Sequence, residues 1–248
     1  ANLTKDITLA TNASQLDIIT NQLGDKVSVV TEPERRDTFP AIALAASYLK
    51  LTKGCPDDEV VVIMPCDPYT EIGYFEAISR MVRCVEQNVA DLVLMGITPI
   101  YPSEKYGYVV PVTGGMQGLS QPVARFTEKP TTIVAEDLLK QNAFWNAGVF
   151  AFRLGYMMDI VRKYITSNNF EDIRSRYCEF PKISFDYEVA EKAESVAVVP
   201  YNGVWKDLGT WNTLTEELKK TVIGNATMGA NCMNTHVINE LKNPIYVD

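Results

Sequence analysis

Five short stretches of the chain carry residue types suited to a phosphorylated, hydroxyl-rich ligand. Asp67 closes Met64-Pro65-Cys66-Asp67, directly after the apolar run Val60–Met64. A carboxylate just past a buried strand lies where α/β sheets bind ligands, and it offers the hard oxygen that a cation such as Mg²⁺ prefers. Asp207 stands in Trp205-Lys206-Asp207-Leu208-Gly209-Thr210-Trp211. Taken singly, either aspartate also reads as a turn or helix cap, and for Asp67 alone the cap is the better reading. Phe126-Thr127-Glu128-Lys129-Pro130 ends a further strand-like run. Glu128 can accept two hydroxyl hydrogen bonds, and Lys129 can meet a phosphate as a compact cation. Alternation along a strand points the two side chains to opposite faces, so no ion pair between them is expected. In Phe144–Phe150, Asn146 can read a hydroxyl and Gly148 lets a ligand approach the backbone; a bulge or tight turn would also account for both. The charged run Glu32–Thr38 holds Arg35 and Arg36, which either bind phosphate or are simply solvated.

The elements that must position these residues alternate between strand and helix. Short β-branched or apolar runs at Ile7–Thr11, Val27–Thr31, Val60–Met64 and Leu92–Ile97 read as strands. Between them, helices are expected over Ser14–Leu23, Ala41–Leu51 and the stretch through Phe75, Ile78, Val82 and Val85. The pattern predicts an α/β fold, a Rossmann-like and mainly parallel sheet with helices on both faces. Tyr108–Val112 and Val123–Phe126, around Gly114-Gly115, predict a hairpin inserted beside that sheet. Further helices are expected at Val134–Gln141, Tyr156–Ile165, Phe185–Ala193 and Trp211–Lys220, with strands at Ala147–Phe152 and Ser195–Pro200. Residues 1–221 are read as one domain and 222–248 as a strand-and-turn tail or the start of another region. In that tail, Ile223-Gly224 and Met228-Gly229 faintly resemble β-helix repeats, but two copies are too few to assert a solenoid.

Composition removes several classes. The 248 residues are 46% hydrophobic and 22% charged, ordinary globular usage. A net charge of −8 argues against a nucleic-acid partner or an anionic membrane surface. No apolar run reaches the roughly 18 residues of a membrane helix, and Ala1–Asn12 lacks a basic signal-like start. Five widely spaced cysteines without a CxxC pair suit a reducing cytoplasm rather than a disulfide framework. A single histidine, His236, leaves no HExxH and argues against a Ser-His-Asp triad. Any catalysis falls to carboxylates, lysines and a metal.

In joint order and spacing, these stretches resemble the sugar-nucleotidyltransferase family, most closely its mannose-1-phosphate guanylyltransferase branch, along nearly the whole chain. Glu32–Ile42 is similar to the family's E-P-x-x-R-[ND]-T-x-P-A-I segment, and Met64-Pro65-Cys66-Asp67 to its L-P-x-D metal loop, with Met64 and Cys66 departing from the commoner residues. Tyr106-Gly107-Tyr108, Phe126–Pro130, Trp145–Phe150, Ser184-Phe185-Asp186-Tyr187 with Glu191-Lys192, and Trp205–Trp211 are similar to further family segments. The resemblance implies a Mg²⁺-dependent transfer from GTP to mannose 1-phosphate, giving GDP-mannose and pyrophosphate, in a cytoplasmic protein compatible with a homodimer. It implies Asp67 and Asp207 as metal ligands close enough to share one ion, and Lys129 as the contact to the sugar phosphate. It assigns Gly107, Glu128, Asn146 and Gly148 to the sugar and Arg36, Pro65 and Asp67 to the nucleotide. Preference for mannose over glucose follows from the Arg36-Asp37-Thr38, Trp145 and Ser184 segments.

The family pattern opens on a strand and a Gly-rich G-x-G-[ST]-R-[LM]-x-P loop, which no residue of Ala1–Asn12 supplies. One β-α unit of about 30 residues is therefore expected upstream of Ala1. Without such a unit in the native protein, a non-catalytic sugar-nucleotide-binding relative becomes the reading. Another base or sugar in the same reaction is the nearer alternative.

Overall fold

The computed structural model describes residues 3–115, 118–208 and 211–248, apart from the Asn212 side chain. Two compact units emerge: Ala1–Pro65 with Glu71–Gly203, and Cys66–Thr70 with Val204–Asp248.

The first unit opens with strand β1 (Thr8–Asn12), helix α1 (Leu16–Leu23) and strand β2 (Ser28–Glu32). Asn12 starts the helical segment by accepting from Ser14 N–H at 3.0 Å, and β1 pairs in parallel with β2. Helix α2 (Thr38–Leu51) carries Pro40 in its first turn, where a missing N–H costs nothing. Strand β3 (Val60–Ile63) follows. After β4 (Pro68–Thr70), which belongs to the second unit, come α3 (Ile72–Glu86) and β5 (Leu92–Ile97). α3 buries Tyr74, Ala77, Ile78, Met81, Cys84 and Val85 at helical spacing, and all six residues of β5 are buried. The hairpin β6 (Tyr108–Pro111) and β7 (Gln121–Thr127) leads to α4 (Thr132–Lys140), β8 (Phe144–Arg153), α5 (Leu154–Arg162), α6 (Phe170–Ser175) and β9 (Val196–Tyr201).

The six-stranded sheet runs β3-β8-β5-β9-β7-β6, with β6 also pairing to β8. The α/β class holds, but the sheet is mixed rather than mainly parallel: of its pairings only β5–β9 is parallel. β8 runs against both β3 and β5, between which it is wedged. Apolar runs such as Val60–Ile63 report that both faces are covered; they carry no information on direction. The expected hairpin is present as β6–β7 and is continuous with the sheet, β6 pairing with β8 and β7 with β9. Against one face, Phe39, Phe180 and Phe185 join Phe150 and Phe152 in a buried aromatic core, with Phe150 and Phe185 rings 4.8 Å apart.

Gly96 sits where the β5–β8 register shifts, opposite Asn146. A Cβ there would lie 2.5 Å from Val198 Cγ2 and 2.7 Å from Phe144 Cβ, both in neighbouring strands. Gly96→Ala is therefore expected to cost about 1–3 kcal/mol of stability through overpacking. Urea denaturation checks this, and an unchanged midpoint would contradict the tight packing.

In the second unit, β10 (Trp205–Asp207) pairs antiparallel with β4, and α7 (Trp211–Glu217) follows. The tail forms β11 (Val222–Gly224), β12 (Ala226–Met228), β13 (Val237–Asn239) and β14 (Ile245–Val247). β11 pairs in parallel with β13 and β12 with β14. No helix among the described residues is long and apolar enough to cross a membrane.

Candidate functional site

In the first unit the chain leaves β7 at Thr127, and the next two residues behave differently from a strand. Lys129 takes φ +43°, a left-handed backbone that side chains adopt at a cost. That turn brings both side chains to one side, so Lys129 Nζ stands 3.3 Å from Glu128 Oε1. The expected splaying to opposite faces fails because the strand has already ended. Glu128 is 10% exposed and Lys129 64%, which leaves the carboxylate under a reachable ammonium.

The Glu128 carboxylate occupies the space a Cβ on Gly107 would need, so a side chain at 107 would push the carboxylate from this position. Gly107 in turn accepts from Asn146 N–H at 2.8 Å. The Asn146 side chain is held at both ends: Oδ1 accepts from Gly148 N–H at 3.0 Å, and Nδ2 donates to Asp186 Oδ1. Gly148 has φ +68°, and beyond its two chain neighbours no described residue comes within 4 Å of a Cβ built on it. Thus Gly107, Glu128, Lys129, Asn146 and Gly148, drawn from two loops and β8, form one polar cluster.

Asp186 opens a π-helical turn, Asp186–Ala190, of a kind enriched at functional sites; an ordinary helix was expected there. Thr38 Oγ1 accepts from Phe185 N–H at 2.8 Å and Phe39 N–H donates to Ile183 O at 3.2 Å, which ties the turn to the start of α2. Asp37 caps that helix at φ +73°, its carboxylate accepting from Thr38 N–H. Arg36 donates to Phe180 O at 3.1 Å and pairs with Glu34 at 2.7 Å. The Arg36-Asp37-Thr38 loop is therefore anchored to the 180–185 segment beside Asp186, the sugar side of the expected layout. Pro65, expected near nucleotide, is half-buried two residues past β3.

Burial raises the Glu128 carboxyl above the ordinary 4.5, helped by Asp186 and Glu191 and opposed by Lys129. Burial likewise raises Asp186 above 3.8, against the pull of the Asn146 hydrogen bond and Lys129 and with a push from Asp37. Glu191 is raised by burial and by Asp186. For a raised carboxyl the folded chain holds more protons than the unfolded chain between the two pKa values. Stability therefore falls as pH climbs from those ordinary values through the raised ones, and the full cost is present above them. Asp186→Asn is expected to raise the melting temperature relative to the native chain at pH 7, with the gain fading towards pH 4. A difference independent of pH would contradict this.

Asp186 and Glu191 had no role assigned to them from the sequence. Their signal was the Ser184–Tyr187 segment itself, but the bond from Asp186 to Asn146 spans 40 positions. Trp145, beside Asn146, is buried against the Tyr101 and Tyr106 rings at 4.9 and 5.0 Å.

In the second unit, the β4–β10 register sets Asp207 opposite Pro68, one residue from Asp67. Strand spacing and rise then put the two aspartate Cα atoms on the order of 6 Å apart. Both residues are exposed. No group of three or more His, Cys, Asp or Glu side chains suited to a metal occurs among the described residues. Two exposed carboxylates fit Mg²⁺ nonetheless, because that ion is commonly bound by one or two carboxylates and completes its shell with water and substrate phosphates. Gly209 and Thr210, in the same sequence segment, lie outside the described residues.

Residues 2–222 match the nucleotidyl transferase family model. The chain belongs to the nucleotidyl transferase family. A Klebsiella pneumoniae relative named mannose-1-phosphate guanylyltransferase is 33% identical over 224 residues, covering 82% of this nucleotidyl transferase and 46% of the relative. The xanthan biosynthesis protein XanB of Xanthomonas campestris is 30% identical over 239 residues, 87% of this chain and 50% of its own. The chain thus spans about half the length of the curated relatives it matches. A Thermus thermophilus crystal structure described as a mannose-1-phosphate geranyltransferase superposes with TM-score 0.74 at 28% identity, covering 89% of this chain and 68% of that one.

Proposed function

We propose that this nucleotidyl transferase moves a guanylyl group from GTP to mannose 1-phosphate, releasing GDP-mannose and pyrophosphate. The observation that carries the reading is the half-buried Glu128–Asn146–Asp186 polar cluster under the exposed Lys129 ammonium, with open space over Gly148. Such a cluster suits a sugar phosphate: carboxylate and amide for hydroxyls, cation for phosphate. The relative named mannose-1-phosphate guanylyltransferase favours mannose and GTP over other pairs.

Glu128 accepts hydrogen bonds from sugar hydroxyls, the Asn146 amide adds a hydroxyl contact, and Gly148 allows the sugar to approach the backbone. Lys129 neutralises the sugar phosphate as it approaches the α-phosphorus of GTP. A phosphate oxygen attacks that phosphorus in line, the α–β anhydride bond breaks, and the electron pair leaves with pyrophosphate. The attacking oxygen is already ionised near neutral pH, so no histidine base is required. Asp67 and Asp207 would hold Mg²⁺, which when bound supplies Lewis-acid stabilisation of phosphate charge. A cytoplasmic setting accords with five free cysteines.

The test is pyrophosphate release with GTP, ATP, UTP and TTP, each paired with mannose 1-phosphate or glucose 1-phosphate in Mg²⁺. GTP with mannose 1-phosphate should give the highest kcat/KM. A faster rate with another pair would move the assignment to that base or sugar.

A further inference from the structure

We infer that Asp186 is a positioning residue that holds the Asn146 amide in the single orientation the sugar side needs; this rests on the function proposed above. Asn146 Nδ2 donates to Asp186 Oδ1 while its Oδ1 accepts from Gly148 N–H at 3.0 Å. Rotating the amide by half a turn would set its oxygen against the Asp186 carboxylate and its NH₂ against the Gly148 N–H. Both contacts would then be repulsive, so the two partners select one rotamer. In that rotamer one Nδ2 hydrogen and one Oδ1 lone pair remain for a ligand. The same residue is fixed through its backbone, since Asn146 N–H donates to Gly107 O at 2.8 Å.

Asp186 is itself held from several directions. Its neighbour Phe185 is bonded to Thr38 Oγ1 at 2.8 Å and packs on Phe150 and Phe152, with ring centroids 4.8 and 6.0 Å away. The charged groups acting on this carboxylate or its neighbours are Glu128, Lys129, Glu191 and Asp37. What Asn146 requires of position 186 is an acceptor in place. An asparagine can provide that acceptor and an alanine cannot.

The decisive set is Asp186→Ala, Asp186→Asn, Asn146→Ala and the double variant Asp186→Ala/Asn146→Ala. Asp186→Ala should raise KM for mannose 1-phosphate about 10–100-fold, in the range of lost supporting contacts to a binding group, with KM for GTP unchanged. Asp186→Asn should stay within about threefold of the native chain, because the acceptor survives. In the Asn146→Ala background the Asp186→Ala change should add nothing further, the non-additivity of residues acting as one unit. A readout that needs no turnover is the Asn146 side-chain amide pair in ¹H–¹⁵N spectra. It should be slowly exchanging in the native chain and in Asp186→Asn, and averaged towards solvent values in Asp186→Ala. Additive losses, an Asp186→Asn variant as impaired as Asp186→Ala, or an amide signal unmoved by Asp186→Ala would overturn the inference. Should the native chain show no transfer to mannose 1-phosphate, that counts against the proposed reaction alone, and the amide signal decides the role of Asp186.

Discussion

Asp207→Asn and Asp67→Asn are each expected to lower kcat by about a thousandfold or more, while GTP affinity moves only a few-fold. The β4–β10 ladder holds the two aspartates one register step apart, so neither can be replaced by a neighbouring carboxylate without remaking the pairing. As the proposed ligands of one ion, the two aspartates would supply two of its oxygens, and losing one would halve what they supply. Lewis-acid stabilisation is worth several kcal/mol, and each 1.4 kcal/mol or so is a factor of ten in rate. The loss falls on turnover because charge shifts from the attacking to the leaving oxygens only as the reaction proceeds. Single-turnover kinetics beside equilibrium GTP titration separates the two quantities. Native kcat in either variant would mean that these aspartates merely finish a turn.

Lys129→Ala is expected to cut kcat/KM for mannose 1-phosphate by about 10²–10³, the usual loss for one preorganised donor at developing charge. KM for GTP should change by less than about threefold, because the proposed mechanism sets the ammonium on the sugar phosphate rather than on the nucleotide. The left-handed backbone at 129 places Nζ on the solvent side of Glu128, 64% exposed and only partly engaged at 3.3 Å. Its removal has a second consequence. Lys129 is the group that pulls the Glu128 carboxyl down, so the alanine variant should titrate Glu128 at higher pH than the native chain. Equal losses for both substrates, or no loss, would make Lys129 a surface charge paired to its neighbour.

The candidate residues were visible in the sequence because they interrupt or follow strand-like runs. Glu128 comes directly after β7, and Asn146 and Gly148 stand among the apolar residues of β8, where polar residues and glycines stand out. The two aspartates were visible for the same reason, yet the strands that join them, Pro68–Thr70 and Trp205–Asp207, were not: three residues are too few for a period. Strand direction was equally hidden, since Val60–Ile63 and Leu92–Ile97 look alike whether β8 runs with or against them. The ion pair of Glu128 with Lys129 depends on a positive φ at a non-glycine residue just before Pro130, which no propensity announces. Asp186 was read only as part of a segment, because its partner Asn146 is reached through tertiary packing rather than through spacing.

The most direct measurement is ³¹P NMR of the full-length native protein with GTP, mannose 1-phosphate and Mg²⁺. Transfer should consume the sugar-phosphate resonance and the GTP signals together, and replace them with the coupled diphosphate pair of GDP-mannose and one equivalent of pyrophosphate. A sugar-phosphate resonance that persists while GTP decays to GDP and inorganic phosphate, or a mixture that does not change at all, would contradict guanylyl transfer by this chain.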